Sequence, residues 1–292
     1  MSTKHKYDFA VILSVKNANP NGDPLNGNRP RTNYDDIGEI SDVCLKRKIR
    51  NRLMTMDPKE SILVQSNDNT DDEHQSIKAR IDASKDFDLK DPRKFKKQAC
   101  AKWFDVRTFG QIFPFKGTKS GEGVSIPVRG PVTIHSAYSL EPVSISSIQI
   151  TKSTNLEDTK TGKKGADTMG MKHRVDFGIY TFFGSINSQL ASDETGTGFS
   201  DDDAEKLKMA LRSMFENDAS SARPDGSMEV LKVIWWKHSC PNGDISSAKV
   251  HRTMEENVDL KNGAIGNEQK LSLSFKKDEG NGQLKPEILD GF

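Results

Sequence analysis

Cysteine is scarce in this chain. Cys44, Cys100 and Cys240 are odd in number, far apart and never arranged as a Cys-x-x-Cys pair, which argues against a disulfide framework and a zinc knuckle and fits a reducing compartment. The six histidines, His5, His74, His135, His173, His238 and His251, are scattered without ligand spacing, so no metal site is read. Long apolar runs are also missing: nothing approaches the roughly 20 residues of a membrane span, and Met1 to Lys6 contain no apolar signal core. A soluble, cytoplasmic protein without a membrane partner is expected. No Walker loop, Gly-x-Ser-x-Gly elbow or Gly-x-Gly-x-x-Gly fingerprint is present, so no cofactor is expected, and Gly196-Thr-Gly198 reads as a loop. The aromatic strand motif of RNA-recognition modules is missing too.

Excess charge of one sign is likewise absent. Forty-three Lys and Arg against 42 Asp and Glu give a net charge of +1, which excludes a uniformly basic nucleic-acid binder and leaves room only for a local basic patch. The charges are segregated: Asp68 to Glu73 and Asp193 to Asp203 are acidic, whereas Lys46 to Arg52, Arg93 to Lys97 and Lys160 to Lys164 are basic. Such patterning suits a subunit that repeats against itself along a polyanion, or an ordinary charged surface. At 292 residues and 34% hydrophobic content, the chain can bury a large core and still carry extensive loops.

Periodicity supplies the elements. Tyr7 to Val15 is an apolar run rich in β-formers and predicts a central strand ending near Lys16. After a loop crowded with Asn, Gly and Pro, Ser41 or Asp42 caps a helix in which Leu45, Ile49, Leu53 and Met56 form the core stripe. Lys46, Arg47, Lys48, Arg50 and Arg52 are expected on its other sides, as a solvated face or a phosphate-binding one. Residues 58–91 read as a polar insertion, residues 91–104 as a helix, and Asp105-Val-Arg-Thr-Phe-Gly110 as a turn. A β-rich middle runs from Val124 to Ile150. Lys152 to Lys172 separates strand-like Ile145 to Thr151 from strand-like Val175 to Ile186 and predicts an arm of two extended flanks and a tip. Ser200 with Asp203 resembles a capping box before a helix with Leu207, Leu211, Met214 and Phe215 on its buried stripe, and Met228 to Trp236 is a further strand. Beyond Cys240 the chain is less regular, with extended segments near Val258 and Leu271. This order predicts an α+β fold: a ferredoxin-like, RRM-like split β-α-β core with large additions and helices on one face of an antiparallel sheet.

Several motifs carry two readings each. In Asn19-Pro20-Asn21-Gly22-Asp23-Pro24, with Arg29 and Arg31 behind it, the backbone amides and guanidinium groups could cradle a phosphate or form a structural turn. Arg107 and Arg129, in Asp-Val-Arg-Thr-Phe-Gly and Val-Arg-Gly-Pro, could contact phosphate or base, or pair with a carboxylate. Met169 or Met171 could wedge against a base while Lys172 grips the backbone, or pack within the arm. His173, between Lys172 and Arg174, is the one candidate for metal-free RNA cleavage, but no second acid-base partner is evident and it reads better as an RNA contact.

Seven phrases then agree in order: NPNGDP after the first strand, SDVCLKRKIRN, DVRTFG, VRGPV with SLEPVSI following, TMGMKHRV closing the arm, and FENDASSAR after the last core helix. Together they resemble the Cas-seven (Csd-two) family, the backbone subunit of type I-C CRISPR Cascade complexes, over nearly the whole chain. The resemblance implies a ferredoxin-like palm (residues 1–56, 105–151 and 175–240), an inserted fingers domain (57–104), a β-hairpin thumb (152–174) and a C-terminal extension (241–292). It implies a non-catalytic subunit that stacks with other copies of itself along guide RNA (crRNA) and presents that guide to target DNA. The other Cascade subunits are implied as partners, with a recruited helicase-nuclease as an indirect one. Carried onto this sequence, the resemblance assigns Asn19, Asn21, Arg29, Arg31, Lys46, Arg47 and Arg50 to the palm's phosphate track. It puts Arg107 and Arg129 on the floor and Lys163, Lys164, Met169, Lys172 and His173 on the thumb. A metal-free endoribonuclease maturing CRISPR transcripts through His173 is the alternative.

Overall fold

The computed structural model describes residues 1–84, 87–89, 91–115, 124–151, 169–259, 272–273 and 284–292. Its strands in chain order are β1 (Tyr7–Ala18), β2 (Gly22–Asp23), β3 (Arg29–Pro30), β4 (Ile37–Ile40), β5 (Gly110–Phe115), β6 (Val124–Arg129), β7 (Val132–Ile134), β8 (Ala137–Pro142), β9 (Ile145–Thr151), β10 (Met169–Ile186), β11 (Met228–Lys237), β12 (Val258–Asp259), β13 (Ser272–Leu273) and β14 (Glu287–Asp290). The helices are α1 (Asp42–Thr55), α2 (Ile77–Asp82), α3 (Pro92–Lys102), α4 (Phe104–Phe109), α5 (Ser188–Ala191), α6 (Asp201–Arg212) and α7 (Ser247–Asn257).

One large antiparallel sheet runs in the order β14-β11-β1-β10-β8-β4, with β7 and β9 also pairing to β10. β1 is central because nearly every side chain in it is buried, so both faces of the sheet must be covered there. On one face Tyr7, Phe9, Val11, Leu13 and Val15 pack with Leu45, Ile49 and Leu53 of α1 and with Ala204, Leu207 and Leu211 of α6. On the other, Ala10 and Ile12 meet Ile234, Trp236 and, from α7, Val250 and Met254. A mixed α/β architecture with helices on the sheet results.

The helix ends follow the sequence signals. Ser41 Oγ accepts from Cys44 N at 3.3 Å, and Ser200 with Asp203 completes the capping box. Asp91 caps α3, which has Pro92 at its first position.

Residues 57 onward build a second core, in which Leu63, Ile81, Phe95, Ala99, Trp103 and Val106 pack with Phe113, Ile126 and Val128 of the β5–β6 hairpin. This core thus extends past residue 104 into β6. The Asp105 to Gly110 segment, expected as a turn, is the short helix α4. Its reason is Asp105: the buried carboxylate accepts from Leu63 N at 2.8 Å and Val64 N at 3.1 Å, which holds α4 against residues 61–64. Gly110 then reverses the chain at φ +79, where a Cβ would sit 2.3 Å from the Val128 carbonyl oxygen. A second difference is α7, a helix where irregular chain was expected. Its apolar residues, Val250 and Met254, are spaced i, i+4 but are too few to stand out in a polar tail.

Candidate nucleic-acid interface

The basic helix α1 divides its cations by burial. Lys48 points inward, ion-paired with Asp218 and lying over the Phe215 ring; burial lowers its pKa, with Asp218 opposing that shift. The expectation that Lys48 lies on a cationic outer face is therefore corrected: it is buried beside Ile49 and one turn after the core residue Leu45, on the side that receives Asp218. Arg52 Nε donates to Ser213 Oγ at 2.8 Å. Arg50 Nε donates to Asp105 Oδ2 at 3.0 Å with its guanidinium over Phe109, joining α1 to the second core. Only Lys46 and Arg47 remain toward solvent, paired with Asp42 and Asp68, each at 2.9 Å. Solvent-screened pairs of that kind contribute about 0–1 kcal/mol.

Arg107 is held still more firmly. Its guanidinium grips Asp203 through Nε and Nη2, both at 3.0 Å, donates to the Cys100 carbonyl at 2.8 Å and stacks on Phe104. Of the two readings open for it, pairing with a carboxylate is the one observed. Arg129 is exposed, and no described residue pairs with it.

The Asn19–Pro24 motif is built into the fold. Asn19 is buried, its Nδ2 donating to the Asn28 carbonyl at 2.7 Å and its N–H to the Ala222 carbonyl at 2.9 Å. Asn21 Oδ1 accepts from both Ser41 N and Ser41 Oγ, at 2.9 Å each, and so fastens the start of α1. The Asn28 and Leu25 amides are satisfied by Asp23. What this turn presents outward is the β2–β3 hairpin with Arg29 and Arg31.

That hairpin meets the β9–β10 ribbon. The ribbon's register pairs Ser147 with His173, Gln149 with Met171 and Thr151 with Met169, while Ser146, Ile148 and Ile150 pair with Arg174, Lys172 and Gly170. Directly opposed residues share a face, so Met169, Met171 and His173 lie on one side and Lys172 and Arg174 on the other. Arg29 Nη1 donates to Ser147 Oγ at 2.9 Å, and Ser147 Oγ lies 2.8 Å from His173 Nδ1. The methionine face thus adjoins Arg29. Met169 and Met171 are exposed, with Gln149 Nε2 donating to Met169 Sδ at 2.8 Å. Lys172 is exposed, and no described residue pairs with it. Lys163 and Lys164 lie outside the described residues.

Beneath the ribbon opens a cleft of about 520 Å³ lined by Asp23, Arg29, Arg31, Asp36, Glu39 and Ser144, among others. Arg31 Nη2 reaches Asp23 at 3.4 Å, and its buried Nε has no partner among the described residues. The structure therefore joins Arg29 to His173 through Ser147, sets Arg31 beside Arg29 in the cleft and leaves Met169 four residues further along the same face of the ribbon; Asn19 and Asn21 support the hairpin from behind, and Arg50 and Arg107 lie in internal ion pairs. Ser147 was missed by sequence reasoning, because its place opposite His173 depends on cross-strand register.

A buried polar cluster lies elsewhere. Asp244 N donates to His238 Nδ1 at 2.9 Å, leaving Nε2–H to donate to the fully buried Asp8 Oδ2 at 2.8 Å. His251 Nε2, on α7, sits 3.7 Å from Asp8 Oδ1, its ring stacked on Phe183. Among the described residues no three His, Cys, Asp or Glu side chains form a metal-holding group, and no helix is long and apolar enough to cross a membrane.

Fold and site define an α+β protein in which a large antiparallel sheet sets an aromatic-free, methionine-bearing ribbon beside arginines and a polar cleft. Residues 5–277 match the family model for "CRISPR-associated protein Cas7", and the chain belongs to the Cas7 family. A Cas7 protein of Haloferax volcanii is 25% identical over 249 residues, covering 80% of this chain and 71% of the relative. Among solved structures, a chain of a "CRISPR RNA-guided surveillance complex, pre-nicking" aligns at 14% identity and TM-score 0.46 over 79% of this chain and 75% of its own. A chain of a "CRISPR RNA-guided surveillance complex" aligns at 14% identity and TM-score 0.43 over 79% and 68%.

Proposed function

We propose that this chain is a guide-RNA-binding backbone subunit of a CRISPR surveillance complex, of type I-C, acting by electrostatic and shape recognition without chemistry of its own. Membership of the Cas7 family supports the assignment. The observation that carries it is the junction of Arg29, Ser147 and His173 beside exposed Met169 and Met171: guanidinium and imidazole for phosphate, thioether faces for bases. The strand order β11-β1-β10-β8, with α1 and α6 on one face, supports reading the sheet as a ferredoxin-like palm. Residues 57–129, with their separate core, read as fingers, and β9–β10 as the two flanks of the thumb.

On this reading Lys46, Arg47, Arg129 and Lys172 extend the phosphate track, and copies of the chain repeat along crRNA, which pairs with target DNA. The other Cascade subunits complete the particle, and a recruited helicase-nuclease carries out DNA degradation in the cytoplasm.

Reversing both outer charges of α1, as Lys46→Glu with Arg47→Glu, tests the track. Each lost contact to a single strand removes about 0.7 from the slope of log K against log salt, so the double variant should flatten it by about 1.4. An unchanged slope removes α1 from the site. Cleavage of repeat RNA by the purified chain, lost in His173→Ala, would instead establish an endoribonuclease.

A further inference from the structure

Asparagine followed by glycine is a reactive pair as well as a turn former. The glycine nitrogen, once it loses its proton, attacks the asparagine Cγ; the new C–N bond closes a five-membered succinimide, and ammonia leaves. Water then opens the ring, giving aspartate when it adds at Cγ and isoaspartate when it adds at the backbone carbonyl carbon. The balance needs only water, since an amide becomes a carboxylate and ammonium. What the reaction asks of a structure is a free side-chain amide, a free glycine N–H and open space around the glycine.

Of the five Asn-Gly pairs in the sequence, three lie among the described residues, beginning at Asn21, Asn26 and Asn242. Two of these are tied down. Asn21 Oδ1 accepts from Ser41 N and Ser41 Oγ, at 2.9 Å each. Asn242 Oδ1 accepts from Gln189 Nε2 at 3.0 Å, and the Gly243 N–H donates to the Cys240 carbonyl at 3.1 Å. Asn26 differs. It is exposed at the end of a short 3₁₀ turn, Pro24–Asn26, and neither its side chain nor the Gly27 N–H has a hydrogen-bond partner among the described residues. Gly27 stands at φ +58 with no atom within 4 Å of where a Cβ would lie, so nothing resists closure of the ring.

The position gives the reaction a consequence. Asn26 lines the cleft with Arg29 and Arg31, and Arg29 is the residue that reaches Ser147 on the ribbon at 2.9 Å. Aspartate at 26 adds a negative charge to the space the two arginines serve. Isoaspartate also adds a methylene to the backbone between Asp23 and Arg29, which pair across the β2–β3 hairpin, and so displaces the arginine from its contact.

We propose that Asn26 is a self-modification site, at which attack by the Gly27 nitrogen converts the amide to aspartate and isoaspartate and loosens the hairpin's hold on RNA. The conversion stands on the local geometry; its effect on RNA rests on the RNA-binding reading above. Because the step is irreversible without repair, the site marks the age of a subunit.

The test incubates the full chain in mildly alkaline buffer and follows each asparagine by proteolytic peptide mapping with mass spectrometry. Asn26 is expected to convert about tenfold faster than Asn21 and Asn242, each of which must first break two hydrogen bonds. Equal rates at the three, or an intact Asn26 where either of the others has converted, overturns the site. Asn26→Asp, which installs the acid directly, should bind single-stranded RNA about two- to fivefold more weakly than fresh wild type in fluorescence anisotropy, the effect of one exposed charge. Incubated wild type should lose affinity while incubated Asn26→Gln, whose longer side chain closes a ring far less readily, keeps it. Undiminished binding by Asn26→Asp, or an equal loss in Asn26→Gln, overturns the link to RNA. Conversion at Asn26 with no RNA binding even by fresh wild type overturns the RNA-binding reading and leaves the modification site standing.

Discussion

At the scale of single residues, burial decides what each cation does. Arg50 stands in the same basic helix as Lys46 and Arg47, and Arg107 in the Asp-Val-Arg-Thr-Phe-Gly segment, but their partners Asp105 and Asp203 are buried. Removing one member of such a pair leaves an uncompensated charge inside, which costs about 3–5 kcal/mol. Arg50→Ala should accordingly lower stability by that amount in urea melts while leaving the salt dependence of RNA binding per bound protein unchanged. A lower salt slope with unaltered stability would return Arg50 to the phosphate track. Sequence could name these arginines as basic residues in turns and helices; it could not pair them, because Asp105 is 55 positions from Arg50 and Asp203 is 96 from Arg107. Ser147 was invisible for the same reason. Only the β9–β10 register puts it opposite His173.

At the scale of elements, regular patterns were legible and sparse ones were not. The continuous apolar run of β1, the Ser41 and Ser200 caps and the stripe of α6 each state their structure locally, and the helices begin where the caps stand. α4 and α7 depend on distant partners, α4 on the Asp105 carboxylate and α7 on the sheet face around Ile12 and Trp236. For α7 that dependence has a pH signature. Burial holds the His251 imidazole below its ordinary pKa, with His135 and Lys6 acting the same way and Asp8 opposing. The folded protein then binds fewer protons at this site than the unfolded chain. Stability from this site is complete above the ordinary histidine value of about 6.5 and falls as pH drops below it. His251→Gln should flatten the loss of melting temperature between neutral pH and about pH 5.5; an identical loss in the variant would assign it to other groups. The α1 stripe gives a simpler expectation. Leu45 is fully buried beneath the sheet, so Leu45→Ala should cost about 2–5 kcal/mol in denaturant unfolding.

At the scale of the molecule, a chain of net charge +1 brings half-buried Arg29 and Arg31 beside exposed thioethers where the β2–β3 hairpin meets the β9–β10 ribbon. Composition excluded a uniformly basic binder and the motif set pointed to the Cas7 family, to which the chain belongs. Neither revealed that Arg50 and Arg107 lie in internal ion pairs, nor that carboxylates line the cleft beside Arg29 and Arg31. The central claim is a subunit that repeats along RNA. Native mass spectrometry of the purified chain with intact single-stranded RNAs of increasing length measures it most directly. The account predicts that copies bound per RNA rise in steps with length and that the RNA mass stays whole; one copy at every length, or fragments of RNA in place of the full strand, would contradict it.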